Sequence, residues 1–275
     1  MPVSTPTMVS LEAARAIVAE CVRPLPVEEI PLSDATGRTI AEPVFNDADA
    51  PRFDRSAMDG YALRAADVPT GGASLRLIGQ IGAGADFAGD VQPGTCVQIN
   101  TGAPLPDGAD TVVRIEDTQV VEDGAVVKIN TAPQAGRHIV RRGTYGRAGD
   151  EVIPAGTCLR AEQIAIAATV GAARLRAYRR PRFAVLATGD ELVAADVVPT
   201  GARIRDSNGP MLLSLLAEDG VECAGLGRVG DDRARLTAAI ERGLAGDGLC
   251  LSGGISMGAF DYVPEVLAAC GVRIR

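Results

Sequence analysis

FAVLATGDE, residues 183–191, is the stretch from which the fold of this chain can be read. Five apolar residues in an unbroken run, Phe183 to Ala187, carry the signature of a strand buried on both faces, as strands of parallel sheets are. The polar Thr188, Gly189, Asp190 and Glu191 mark where that strand leaves the sheet. Toward the C-terminus the alternation repeats. A helix fits 210–218, with Ser207 or Asn208 as cap and Gly220 as stop, and is followed by a strand over 221–226 and a helix over 233–244. A strand over 249–251, a helix over 262–270 and a strand over 272–275 complete the series. This spacing predicts a doubly wound parallel sheet with right-handed crossovers and helices on both faces. Ligands of such sheets sit beyond the carboxyl ends of the strands. Three polar loops converge there: 188–191, 230–232 and the glycine-rich SGGISMG of 252–258.

Toward the N-terminus the pattern changes. Arg174, Arg176, Arg179, Arg180 and Arg182 cluster around Pro181 and read as a solvated linker. Before them a helix begins near Ala161, with Ile164, Ala167, Ala168 and Val170 apolar, and ends at Gly171. Residues 30–156 are short β-prone pieces punctuated by Gly and Pro, at 75–81, 95–99, 111–115, 125–129 and 151–153, so the middle region is β-rich. The chain opens with an amphipathic helix over 10–22, which places Leu11, Ala14, Val18, Cys21 and Val22 on one face behind a Ser10 cap.

Composition narrows the function classes. With 275 residues, 47% hydrophobic and 23% charged, the chain can form several packed cores. A net charge of -8 repels nucleic acid, and no broad basic face offsets it. No apolar run approaches the roughly 20 residues that span a bilayer, and the N-terminus lacks the blocks of a signal peptide, so no membrane partner and a cytoplasmic location are expected. Six scattered cysteines with no C-x-x-C pair suggest reduced, mostly buried thiols rather than a zinc site or a disulfide framework. His138 is the sole histidine, which argues against Ser-His-Asp chemistry and excludes a multi-histidine metal site.

The 252–258 loop can bring backbone N–H groups close to an anion, because glycine has no Cβ, and phosphate is the natural guest. It lacks the Lys-Ser/Thr ending of a P-loop, and a Gly-Gly turn also serves as a plain strand-to-helix connection. Asp190, Glu191, Asp231 and Asp261 would stand near that anion, an arrangement suited to a bridging hard cation such as Mg²⁺. Asp232 and Asp261 also sit where helix N-caps are expected, and a capping aspartate needs no catalytic role. RSAMDGYA, residues 55–62, has neither strand alternation nor helical period; it reads as a structured loop in which Asp59 is the ionisable group beyond Arg55 and Tyr61 packs in the core.

Five motifs occur together and in order: SAMDGYA (56–62), TGAPLPDGAD (101–110), TGDEL (188–192), RDSN (205–208) and SGGISMGAFDY (252–262). In them the chain resembles the molybdopterin molybdenumtransferase family, the MoeA proteins and their gephyrin E-domain relatives. The resemblance implies an α/β and β multidomain fold. Residues 1–45 with 147–178 would form an N-terminal helix and small connecting domain, 46–146 a β-rich inserted domain, and 179–275 a MogA-like doubly wound parallel α/β domain that binds molybdopterin. The implied activity is insertion of molybdenum from molybdate into adenylylated molybdopterin, with Mg²⁺ and release of AMP. A non-catalytic molybdopterin-binding or dimerising scaffold is the alternative; a MogA-like adenylyl transferase is a third, against which the long β-rich region speaks. A homodimer is implied, with the SAMDGYA loop of one subunit approaching the α/β site of the other, as are contacts with MogA-like and molybdoenzyme maturation proteins. By position, Asp59, Glu191, Asp231 and Asp261 would be catalytic, the last two also binding metal. Thr101, Asp190, Asp206, Asn208, Ser252, Gly253, Gly254, Ser256 and Gly258 would hold the ligand. Two departures stand out. Where the family has Arg-x-x-Gly-Glu-Asp this chain has Val140-Arg141-Arg142-Gly143-Thr144-Tyr145, with Asp150 and Glu151 a few residues on. The family also continues past 275 into a Pro-Gly-Lys-Pro segment and a C-terminal β domain, so the α/β domain is expected to be incomplete in this sequence and the β domain absent.

Overall fold

A computed structural model describes residues 9–230, 232–253 and 262–273. They fall into two compact units, one of the described residues within 1–42, 155–165 and 173–275, the other of Pro43–Pro154 and Ile166–Ala172.

The first unit opens with helix Leu11–Cys21, whose Ser10 hydroxyl accepts a hydrogen bond from the Ala13 N–H at 3.2 Å. No residue of this helix is buried, and Leu11 is 64% exposed. Strand Val27–Pro31 then pairs antiparallel with Arg174–Tyr178. This corrects the linker reading of the arginine-rich stretch. Leu175 and Ala177 are buried while Arg174 and Arg176 are exposed and reach Glu29 and Glu42, a period-two pattern that the density of positive charge conceals.

The parallel sheet is present, with Arg182–Thr188 between Glu222–Val229 and Gly248–Ser252. Its central strand is buried from Ala184 through Thr188, as the apolar run predicts. Leu186 packs with Leu236, Ala239 and Ile240 of helix Arg233–Leu244 and with Val263 and Val266 of helix Val263–Ala269. Leu226 packs against the same cluster, whereas a Cβ on the preceding Gly225 would meet Leu213 of helix Asn208–Glu218 at 3.2 Å. Neighbouring strand residues face opposite ways, so helices cover both faces. Val272 and Arg273 are not in a strand, and the rest of the strand expected over 272–275 lies outside the described residues.

The second unit is built on a six-stranded sheet, in the order Thr111–Arg114, Gly60–Leu63, Thr95–Ile99, Ala73–Ile81, Val126–Ile129 and Thr118–Val121. Only the pairing of Ala73–Ile81 with Thr95–Ile99 is parallel. Leu63, Leu75, Ile81, Ile99 and Ile129 fill its interior. The loop reading of 55–62 needs correction here. Gly60–Leu63 is a strand hydrogen-bonded on both edges and buried at all four residues, which is why no alternation announces it. Gly60 is required: a Cβ there would stand 2.0 Å from the Val113 carbonyl oxygen.

The six thiols are free, as expected, but they are not mostly buried. Only Cys96 is, and burial pushes its thiol up to about 12; Cys21 and Cys158 are exposed.

Candidate ligand site at the carboxyl edge

The three parallel strands end at Thr188, Val229 and Ser252, and the groups beyond them are fixed by short contacts. Gly253 has φ +94°, and a Cβ on it would stand 2.2 Å from the Thr188 carbonyl oxygen. The glycine therefore lets the last strand turn out of the sheet against its neighbour. The Thr188 hydroxyl donates to the Ser252 carbonyl at 3.4 Å.

Asp206 is buried, and its Oδ1 accepts from the Gly209 N–H at 2.9 Å, so the carboxylate serves the start of helix Asn208–Glu218. Ser207 makes no side-chain cap bond, and the cap expected at 207 or 208 is supplied one residue earlier. The Asn208 side chain turns instead to the neighbouring strand end, where its Nδ2 donates to the Ser252 Oγ at 2.9 Å. A short parallel pair, Leu192–Val193 with Ile204–Arg205, carries Asp206 back beside the first loop. Its flanking bonds run from the Ile204 N–H to the Glu191 carbonyl at 2.8 Å and from the Asp206 N–H to the Val193 carbonyl at 2.9 Å.

The result is a cavity of about 140 Å³ lined by Thr188, Glu191, Asp206, Asn208, Ser252 and Gly253, among others. Glycines make room for Glu191 of this lining and for the adjacent Asp190. A Cβ on Gly189 would come within 2.4 Å of a Glu191 carboxylate oxygen, and one on Gly230 within 2.1 Å of the Asp190 Oδ1. The amide of Asn208 and the hydroxyl of Ser252 can donate to a ligand, while Asp206 and Glu191 can accept from its N–H or O–H groups. Asp232 takes the capping role considered for it, its Oδ1 accepting from the Arg235 N–H at 2.9 Å. Asp231, Gly254, Ser256, Gly258 and Asp261 lie outside the described residues. Among the described residues, no group of three or more His, Cys, Asp or Glu side chains is placed to hold a metal ion.

A second polar cluster belongs to the other compact unit. The Asp59 Oδ1 accepts from the Thr101 N–H at 2.6 Å and from its hydroxyl at 3.0 Å. These bonds, the backbone one first, hold the Asp59 carboxyl below its ordinary range and keep it ionised. The Ser56 hydroxyl donates to the Met58 carbonyl at 2.6 Å, and the Gly102 N–H donates to the Ser56 carbonyl at 2.8 Å, which locks the Met58–Asp59 turn onto the turn before Ala103. Two residues named separately from the sequence thus form one pair.

The divergent 140–145 segment sits in the same unit. Arg141 holds Asp54 at 2.6 Å, and Arg142 holds Asp49 at 2.7 Å. Asp150 is engaged by the Arg147 N–H at 2.6 Å and closes its own turn, while Glu151 is exposed on strand Glu151–Ile153. Tyr145 is 66% exposed, and the Arg55 guanidinium lies 5.7 Å from its ring centre. No local pattern in the sequence signals that pair, whose members stand ninety residues apart.

Comparison with known proteins adds to this geometry. A family model described as "MoeA N-terminal region (domain I and II)" matches residues 9–171, and one described as "Probable molybdopterin binding domain" matches residues 184–274. A molybdopterin molybdenumtransferase of Nostoc sp. is 39% identical over 253 residues, covering 90% of this chain and 58% of the relative. One of Bacillus subtilis is 32% identical over 254 residues, covering 90% and 59%. The crystal structure of a molybdopterin biosynthesis MoeA protein from Pyrococcus horikoshii superposes with a TM-score of 0.79 at 31% identity, over 96% of this chain and 67% of that one. The chain thus spans less than two thirds of the length of these two curated relatives.

Proposed function

The chain belongs to the MoeA family, and from that premise we propose that it acts in molybdenum cofactor biosynthesis, inserting molybdenum from molybdate into adenylylated molybdopterin with release of AMP. The observation that carries the proposal is the cavity lined by Thr188, Glu191, Asp206, Asn208, Ser252 and Gly253, at the carboxyl edge of a parallel sheet and inside the segment that matches the molybdopterin-binding model. A pterin ring presents N–H donors and carbonyl acceptors, and its side chain carries phosphate. Asp206 and Glu191 suit the donors, and Asn208 and Ser252 the acceptors.

The roles proposed for the acids follow from their settings. Glu191 lies at the cavity and is oriented over Gly189, where it can take a proton from a ligand heteroatom. Asp59, ionised and aimed by Thr101, is an acceptor held in one direction; in the proposed homodimer its loop would face the α/β unit of the partner subunit. Asp231 and Asp261 are proposed as Mg²⁺ ligands. The described residues alone offer no cation site, so Mg²⁺ takes no part in the roles given to them. A cytoplasmic location and contacts with MogA-like and maturation proteins complete the proposal; among the described residues no helix is long and apolar enough to cross a membrane.

The test is turnover by the chain itself. Adenylylated molybdopterin, molybdate and Mg²⁺ should yield AMP and molybdenum cofactor. Glu191→Gln should lower kcat by about 10²-fold or more, the range for losing one general acid or base. Absence of AMP release above the protein-free rate would refute the activity.

A further inference from the structure

The Arg55–Tyr145 pair differs from its surroundings. Neighbouring arginines are neutralised: Arg52 holds Asp47, Arg141 holds Asp54 and Arg142 holds Asp49. Among the described residues Arg55 holds no carboxylate, and its side chain lies instead over the ring of Tyr145. That ring is 66% exposed, so the contact does not fill a core. Backbone contacts tie the pair to the second polar cluster. Strand Arg55–Ser56 pairs with Ile139–Val140 on one side and bridges Pro104 on the other, and the chain reaches Asp59 four residues after Arg55.

We propose that Arg55 and Tyr145 form a docking platform for a planar heterocycle that carries a phosphate. A tyrosine ring can stack on a heterocycle through the face that the guanidinium leaves free, and a guanidinium held within about 6 Å of the other face presents a forked donor that matches phosphate. Neither group alone would select this ligand class; together they match its two halves. Two sources share the chemistry, the adenylate and the pterin phosphate of the proposed substrate, and in this respect the inference rests on the functional reading above.

Binding is readable directly, because the chain has no tryptophan and four tyrosines, of which Tyr61 is buried. Tyrosine fluorescence and calorimetry would be followed during titration of the full chain with AMP, a pterin monophosphate, adenosine and inorganic phosphate. Saturable quenching by AMP or by the pterin monophosphate is expected, and the one that binds identifies the source. Arg55→Gln and Tyr145→Ala should each weaken that ligand about tenfold or more, Arg55→Lys less, while Tyr145→Phe retains the calorimetric affinity and loses most of the quenching. Changes below twofold in both Arg55→Gln and Tyr145→Ala, with circular dichroism unchanged, would overturn the platform, as would failure of both phosphorylated ligands to bind. Sensitive binding without turnover would refute the insertion activity and leave the platform standing. Turnover whose KM and kcat ignore both substitutions would do the reverse.

Discussion

Gly253→Ala probes the turn on which the ligand site depends. Two costs add. An alanine at φ +94° is strained by about 1–2 kcal/mol. Its Cβ would also stand 2.2 Å from the Thr188 carbonyl oxygen and 2.9 Å from the Thr188 Oγ1, whereas carbon and oxygen settle at about 3.3 Å or more. Strand ends must part by about 1 Å, and forced displacement of this kind in a packed region costs about 1–3 kcal/mol. The local destabilisation is therefore about 2–5 kcal/mol. Gly227→Ala is the matched control, because Gly227 has φ +80° in the same sheet with nothing within 4 Å of its virtual Cβ, and it should lose only the strain. Amide hydrogen exchange across Arg182–Thr188 reads the opening free energy of that strand without requiring two-state unfolding of the chain. Protection should fall about 30-fold to several thousand-fold in Gly253→Ala and about 5- to 30-fold in Gly227→Ala. Equal losses in the two variants would refute the close approach of Gly253 to Thr188.

Asp247 should make the first unit acid-sensitive. The Arg179 guanidinium, bonded at 2.8 Å to both carboxylate oxygens, and then the Arg182 N–H hold its carboxyl down to about 2. That is below the unfolded value of about 3.9, so its contribution is full above about pH 4 and fades as pH falls toward about 2. Wild type should lose urea resistance across that window more steeply than Asp247→Asn; parallel curves would contradict the linkage. Thiol labelling at about pH 8 should modify the exposed Cys21 and Cys158 first and Cys96 only on unfolding, and early modification of Cys96 would contradict its burial. Thr101→Val removes the hydroxyl bond to Asp59 but keeps the backbone one, so the Asp59 carboxyl, followed by NMR, should titrate upward toward its ordinary range; an unchanged value would remove the hydroxyl from its setting.

The parallel sheet was legible because its central strand, Arg182–Thr188, is apolar without interruption from Phe183 to Ala187 and its helices have clear periods; helix Arg233–Leu244 has the bounds its pattern predicts. The same rule hid Gly60–Leu63, a buried strand too short for its apolar run to stand out beside Met58-Asp59. Arg174–Tyr178 was obscured differently, since charge outweighed an alternation that buries only Leu175 and Ala177. At the site, Ser252 was legible at the carboxyl edge and Asn208 only through the family resemblance; the bond between them depends on Asp206 taking the helix start, a choice among three adjacent residues with similar capping tendencies. The Asp59–Thr101 pair spans 42 positions and the Arg55–Tyr145 pair 90, and only the folded sheet brings their ends together.

Calorimetric titration of the chain with molybdopterin tests the central claim, that the carboxyl edge of the parallel sheet holds this ligand. Wild type should bind, and Asn208→Ala, which removes the amide donor beside Ser252, should weaken binding by about tenfold or more. Binding that is absent in wild type, or unchanged in Asn208→Ala, would contradict it.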